Sequence, residues 1–455
     1  MKLLQRDREL IVSNEFVKKF DFAEIQEYVK NVSKNLFISH KFKQNKGKTL
    51  VQPRGGFPTY EKMFALYEQF IKDGVDILPM TIDSNTRLND YATSAKMLNL
   101  SILEQKDLLN GYPLINHGYE KTRQMVEHFD TPISLRHGTP DARLLVDMAL
   151  ASGVFEIEGG PITYILPYSK NFPQDKAFLY WKHVEKLCAK YSTLNEPINR
   201  ESFGPLTATL VPPVITIVIQ IAEMMLSLEE GVKSFSVSFA QSGSMNQDLV
   251  MAKVLRKKAK EYAQKIGCGD ATINLVYHQW MGAFPRDKYK SDCLINTGAL
   301  LARMVKADKI ITKTRAEAFG IPTKEENGLA VSNVKYTLNM LNGVPDFVDE
   351  QEEQHLESMV DEVFEAIFND SADTLWRKIF NSIKNGIIDV PYSPHIINNN
   401  ELITVRDEKK NIRIYKKGKL PISDKNLKFE QSKLKGKIDS NNVVDQIIHD
   451  IGIML

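Results

Sequence analysis

Three arginines in this chain each follow a short apolar run. Arg54 comes after Thr49-Leu50-Val51, Arg87 after Ile77-Leu78-Pro79-Met80-Thr81-Ile82, and Arg136 after Pro132-Ile133-Ser134-Leu135. Such runs read as strands, and a polar residue just past a strand sits where α/β folds place their chemistry. A guanidinium fixes a carboxylate through two parallel hydrogen bonds and stays protonated throughout a reaction. Three of them converging on one pocket repel unless an anion fills it, and a dicarboxylate matches their forks. After Arg136, the stretch His137-Gly138-Thr139-Pro140-Asp141 suggests a helix start, with Thr139 as N-cap and Pro140 in the first turn.

Further polar groups follow other apolar runs. Glu158 ends Val154–Ile157 and precedes Gly159-Gly160; opposite the arginines it would receive an ammonium group, act as a base, or simply neutralise them. Tyr164 and Tyr168 are four apart, though Pro167 argues against a regular helix; their hydroxyls suit a carboxylate and their rings suit a core. His137 and His278 each end a candidate strand and, with Glu158, would make a metal site, but no HxH or HExxH spacing supports one. Lys313 and Glu317 read either as a helical surface pair, in the less favourable order, or as part of a site. Ser242-Gly243-Ser244 is a weak candidate for a phosphate or a polar cofactor edge. Arg54-Gly55-Gly56 reads as a tight turn or as a close approach of backbone to ligand.

Positioning these residues calls for a parallel sheet. Eight candidate strands lie near Thr49–Val51, Asp76–Ile82, Pro113–Asn116, Pro132–Arg136, Val154–Ile157, Val232–Phe239, Ile273–His278 and Lys309–Lys313. Helix candidates between them end at glycine: Tyr60–Asp73 at Gly74, Asp141–Ser152 at Gly153, Gln247–Ile266 at Gly267. The expected fold is a (β/α)8 TIM barrel over residues 45–330. An N-terminal helical extension (1–44), a long insert after strand 5 (Gly159 to about Gly231) and a C-terminal α+β tail (331–455) complete it. That tail would hold helices Lys324–Leu341 and Glu352–Asn369 and a hairpin of Ile403–Val405 with Ile412–Tyr415.

Bulk composition narrows the function classes. A net charge of +2 over 455 residues gives no reason to expect nucleic acid or an anionic membrane. The lysines of the basic tail lack interleaved aromatics and read as a solvated or subunit-docking surface. Cys188, Cys268 and Cys293 are widely spaced and read as reduced thiols of a cytoplasmic protein. Arg6, Asp7, Arg8 and Glu9 argue against a signal peptide. The apolar stretch Val211–Leu226 contains Pro212, Pro213, Gln220 and Glu223 and reads as a buried helix of a protein outside the membrane.

Four longer blocks closely resemble the large catalytic subunit of glutamate mutase (methylaspartate mutase, E chain). They are Val51-Gln52-Pro53-Arg54-Gly55-Gly56-Phe57-Pro58-Thr59-Tyr60, residues 135–145 beginning Leu135-Arg136-His137-Gly138-Thr139-Pro140-Asp141, residues 196–207 beginning Glu196-Pro197-Ile198-Asn199-Arg200-Glu201, and residues 276–287 beginning Val276-Tyr277-His278-Gln279-Trp280. The likeness runs from about residue 50 to 330 and is fainter beyond. It implies a TIM-barrel isomerase that interconverts L-glutamate and (2S,3S)-3-methylaspartate by a radical route with adenosylcobalamin. It further implies that Arg54, Arg87 and Arg136 grip the substrate carboxylates, that Glu158, a candidate catalytic residue, meets the ammonium, and that Tyr164 and Tyr168 help hold the amino acid. Phe203, His137 and His278 would line the site. Lys313 and Glu317 would face the adenosyl ribose, with Gly56 and Asn110 near the cofactor. The DxHxxG cobalamin motif is not found in this sequence, and in the family it lies on a separate small subunit. The resemblance therefore implies a homodimer within an E2S2 heterotetramer, inactive as the large chain alone. Two competing readings are a metal- or base-dependent barrel lyase acting through His137, His278 and Glu158, and a non-catalytic binder of acidic ligands.

Overall fold

In the computed structural model, residues 20–204, 210–341, 349–434 and 442–455 are described. Eight parallel strands form the sheet: β1 (Leu50–Gln52), β2 (Leu78–Thr81), β3 (Ile133–Arg136), β4 (Glu156–Glu158), β5 (Asn199–Glu201), β6 (Ser234–Ala240), β7 (Thr272–His278) and β8 (Lys309–Ile311). Their order is β1-β8-β7-β6-β5-β4-β3-β2. The seam between β1 and β2 is bridged by backbone bonds from Asp76 to Val51 (3.1 Å) and from Thr81 to Gly55 (3.1 Å), so the sheet curls into a (β/α)8 TIM barrel. In register, Glu156 faces Asn199 and Glu158 faces Glu201 on adjacent strands. Side chains alternate along a strand, so each of these pairs points to the same side of the sheet.

Strand, helix and glycine recur as the sequence suggests. Tyr60–Lys72 starts on Thr59, which accepts from the Lys62 amide, and Met245–Lys265 starts on Ser244. One correction concerns the third expected strand. Pro113–Asn116 is not a strand: Leu114–His117 forms a helical turn, and only an isolated bridge between Ile82 and Tyr112 extends β2. The true fifth strand, Asn199-Arg200-Glu201, lies inside the segment expected to be a long insert after strand 5. That insert therefore resolves into two βα units, with helices Gln174–Ser192 and Pro213–Glu229. The strand escapes a hydrophobic reading because all three of its residues are polar and buried. Thr139 does not cap a helix either; that helix is Arg143–Ala151, preceded by Ala142.

Helix Pro213–Glu229 is buried along nearly its full length, packed on Met245–Lys265 and on Glu350–Phe368. Its apolar character reflects burial within the protein, and among the described residues no helix is long and apolar enough to cross a membrane. Near the N-terminus, Phe22–Asn31 is capped by Asp21, and Phe37 stacks on Phe155 with ring centroids 4.1 Å apart. At the other end, β9 (Ile403–Arg406) and β10 (Ile412–Lys416) pair antiparallel as expected. Arg413 pins them to helix Glu350–Phe368 through Glu352 at 2.6 Å.

Arg200 ties β5 to its surroundings. Its guanidinium donates to both oxygens of buried Glu185 (2.8 and 2.7 Å) and to the carbonyl of Gly159 (2.7 Å). Removing one partner strands the other as an unpaired buried charge. We predict that Arg200→Met lowers unfolding free energy by roughly 3–5 kcal/mol, measured by urea denaturation. The double change Arg200→Met with Glu185→Leu should recover most of the loss, and an equal loss in the double variant would refute this account.

Candidate functional site

The C-terminal ends of β1 to β5 and the turns after them bring Arg54, Arg87, Arg136, His137, Glu158, Tyr164, Tyr168 and Phe203 around one pocket, with Thr81 and Gly138. Arg136 is the last residue of β3 and Glu158 the last of β4. Arg87 sits in the short helix Ser84–Arg87 after β2, oriented by donating its Nε proton to the Ile82 carbonyl at 2.7 Å. Among the described residues no carboxylate pairs with Arg54 or Arg87, whereas Arg136 bridges Glu158 and Glu201, the latter at 3.1 Å. Tyr164 donates its hydroxyl proton to Glu158.

Electrostatics follow from this burial. Desolvation pushes the Glu158 carboxyl up to about 7; Arg136 pulls it back down and Glu201 adds to the rise. Burial also carries His137 and His278 well below the usual imidazole range, helped by neighbouring cations, so both rings are neutral. Arg87 is lowered by desolvation and, more weakly, by Arg54. The pocket holds surplus positive charge over a buried floor and suits an acidic ligand.

The remaining sequence candidates lie around this pocket. His278 ends β7, fully buried and edge-on to Phe203 at 5.7 Å, and lies behind the residues that line the pocket. Lys313 and Glu317 are not a surface helix pair: Lys313 is buried, 2.5 Å from Glu317 and 5.7 Å from the Phe284 ring. Desolvation, with Arg54 adding to it, lowers the Lys313 ammonium to about 8. The Asn110 side chain accepts from the Ser84 amide at 2.9 Å, fixing the turn that carries Arg87. A Cβ on Gly56 would lie 2.5 Å from the Thr81 carbonyl, so its glycine serves close packing of β1 on β2. Gly56 also lines a neighbouring open groove with Leu109 and Ile321. Ser242-Gly243-Ser244 is taken up by its own fold: Asp248 accepts from the Ser242 amide, and Ser244 caps a helix and donates to Asn411.

The metal reading changes shape. His137 turns its Nδ1 to the Thr139 amide at 3.0 Å, and among the described residues the group whose ligand atoms come within 4.8 Å is Glu158, Glu201 and His278. Arg136 already bridges both carboxylates and Lys309 binds Glu201. A divalent cation there would face two fixed cations, which disfavours it.

Sequence reasoning missed the layer beneath the pocket. Lys309, fully buried, reaches Glu156 at 2.8 Å and Glu201 at 2.5 Å. The available signal was the alternation Glu156-Ile157-Glu158, which puts two carboxylates on one face of a buried strand and demands a cation nearby. It missed Glu223 as well. From helix Pro213–Glu229, that carboxylate accepts from the amides of Ile162 and Thr163 (2.8 Å each) and from the Thr163 hydroxyl (2.9 Å). It thereby fixes the turn that carries Tyr164 and Tyr168. A Cβ on Gly160 would collide with Glu223, and one on Gly159 (φ +103°) with the Tyr164 ring.

The comparisons with known proteins agree with one another. The family described as "Methylaspartate mutase E chain (MutE)" matches residues 31–452. The chain belongs to that family. The glutamate mutase epsilon subunit of Desulfitobacterium hafniense (strain Y51) is 36 % identical over 95 % of this chain and 92 % of its own length. That of Escherichia coli O157:H7 is 39 % identical over 83 % and 79 %, and that of Treponema denticola 36 % identical over 95 % and 91 %. The family match reaches well beyond residue 330, into the segment where the sequence likeness is fainter to the eye.

Burial raises the Glu223 carboxyl to about 7 against the hydrogen bonds that favour its ionised form. The folded state therefore holds a proton that the unfolded chain releases near its ordinary value, and this contribution to stability fades as pH rises from about 4.5 to 7. Glu223→Gln removes that dependence. Its stability relative to the unmodified chain should rise by about 1–3 kcal/mol between pH 5 and pH 8, measured by urea unfolding at each pH. A pH-independent difference would refute the assignment.

Proposed function

We propose that this chain is the substrate-binding subunit of an isomerase that interconverts L-glutamate and (2S,3S)-3-methylaspartate with adenosylcobalamin. One observation carries the reading. Arg54 and Arg87 have no carboxylate partner among the described residues and share a pocket with the Arg136–Glu158 pair. Two carboxylates and an ammonium on one small molecule answer that arrangement, and the relatives' name supplies the substrate.

On this reading Arg54, Arg87 and Arg136 hold the two carboxylates, and the Glu158 carboxylate receives the ammonium. The Tyr164 hydroxyl keeps Glu158 in place. Tyr168 and Phe203, with ring centroids 5.6 Å apart, screen the reacting carbons from water. Arginine suits this role because it never changes protonation state while it orients the carbon skeleton.

The residues present fit an adenosyl group at the pocket rim. Lys313 is a buried donor and Glu317 a partly exposed acceptor, a pair of the kind that binds the two hydroxyls of a ribose, and Gly56 lies on the adjoining groove. When bound, adenosylcobalamin supplies radical abstraction of a substrate hydrogen. The corrin ring would belong to a separate small subunit, in a heterotetramer built on a dimer of this chain. The free cysteines fit a reducing cytoplasm.

The test mixes this chain, a cognate small subunit and adenosylcobalamin, then follows L-glutamate by proton NMR. A methyl doublet of 3-methylaspartate should appear only with all three components. Arg136→Lys, which loses the bidentate fork, should lower kcat/KM by at least about a hundredfold. No doublet from an assembled, cofactor-loaded complex would refute the reading.

A further inference from the structure

The layer beneath the pocket has a function that the pocket residues do not supply. Among the described residues Arg136 has two carboxylate partners, Glu158 through one terminal nitrogen and Glu201 through the other. If an amino-acid ligand places its ammonium on Glu158, one arm of Arg136 is released toward the ligand carboxylate. Among the described residues Glu201 is then the carboxylate that still holds the guanidinium. Glu201 is itself fixed from below: its second oxygen meets Lys309 at 2.5 Å, and Lys309 meets Glu156 at 2.8 Å. Glu156 is in turn held by the Asn199 side chain at 2.9 Å. The whole chain of contacts is buried.

Charge points the same way. Arg54, Arg87 and Arg136 against Glu158 leave an excess of two positive charges in the pocket. An amino dicarboxylate brings two carboxylates and one ammonium, a net charge of minus one. One positive charge is left over against the buried floor formed by Arg136 and Glu158, which is costly. Below, one cation, Lys309, serves two carboxylates, Glu156 and Glu201. Burial and the neighbouring Glu201 raise the Glu156 carboxyl although Lys309 opposes this, so the firmer negative charge of the pair is that of Glu201, directly against Arg136. Although its burial acts to raise it, Lys309 and Arg136 together hold the Glu201 carboxyl below the ordinary range, so it is ionised.

We propose that Glu201, braced by Lys309, is the positioning residue that holds Arg136 through ligand exchange and matches the site to a ligand of net charge minus one. This rests on the reading of the ligand as an amino dicarboxylate and names how the protein selects it over a plain dicarboxylate of charge minus two. Glu201 touches no ligand on this account; it acts through Arg136.

The experiment uses the complete complex with the small subunit and adenosylcobalamin, and compares L-glutamate with glutarate, which keeps both carboxylates and lacks the ammonium. Binding is read by calorimetry and turnover by NMR. In Glu201→Gln, the affinity for L-glutamate should fall at least tenfold while that for glutarate falls no more than twofold or rises, so that selectivity for L-glutamate drops at least fivefold. Lys309→Arg, which preserves the charge, should stay within threefold of the unmodified selectivity. Glu156→Gln leaves Lys309 to Glu201 alone, makes the layer less negative without touching Arg136, and should shift the selectivity in the same direction as Glu201→Gln. It serves as the test if Glu201→Gln shows no cooperative melt. Equal weakening of both ligands, or unchanged selectivity in the folded variants, overturns the proposal. An unmodified complex that binds L-glutamate without converting it refutes the isomerase reading alone; one that binds neither ligand overturns both.

Discussion

A single ammonium group inside the barrel, that of Lys309, carries an unusual share of the structure. It lies on β8 and reaches carboxylates on β4 and β5, strands that are not its neighbours in the sheet. Closing a barrel brings these positions together, and the same closure removes them from water. Two carboxylates so placed repel each other strongly in a medium of low dielectric. The lysine converts that repulsion into a tie across the barrel, and the tie fixes Glu201. Through Glu201 it fixes Arg136, and with Arg136 it sets one wall of the pocket.

The surrounding shell repeats the principle with neutral groups. Glu223 and Gln220 sit on the most apolar helix among the described residues, yet they contact the site loops. Glu223 accepts from the amides ahead of Tyr164. Gln220 accepts from Ser238 and donates to the Phe203 carbonyl at 3.1 Å. The C-terminal segment joins in. The Ser393 hydroxyl donates to the Leu166 carbonyl at 2.6 Å, the Ile396 amide to Lys170 at 3.1 Å, and the His395 ring bonds the Phe172 carbonyl at 2.8 Å. The loop that carries Tyr164 and Tyr168 is thus clasped from inside by a helix and from outside by residues more than two hundred positions away in sequence. Loops held in this way keep their side chains in place without secondary structure of their own.

The tyrosine turn also shows why glycine stands at Gly159 and Gly160. The first adopts a positive φ against the Tyr164 ring and the second lies against Glu223. These glycines are room for the protein's own side chains. Gly56 teaches the same lesson at the seam between β1 and β2.

Much was legible in the sequence because it depends on local pattern. Apolar runs followed by glycine-terminated helices announce a parallel barrel, and polar residues that end those runs must emerge at one rim. For that reason Arg54, Arg136 and Glu158 are legible in the sequence pattern, whereas Phe203 follows a polar strand and enters only through the family resemblance. Hydrophobic pattern failed where a strand is polar, at Asn199-Arg200-Glu201, and where a short apolar run is a helical turn, at Leu114–His117. The pairing of Lys309 with Glu156 and Glu201 was out of reach for a different reason. Which buried charges meet across a barrel depends on strand tilt and closure, which no local spacing encodes. The sequence by itself determined the barrel and its rim arginines, because each is written in short-range alternation of residue type. Only the tertiary structure decided which carboxylate holds which arginine, because that depends on distances between strands far apart in the chain and on their common removal from water.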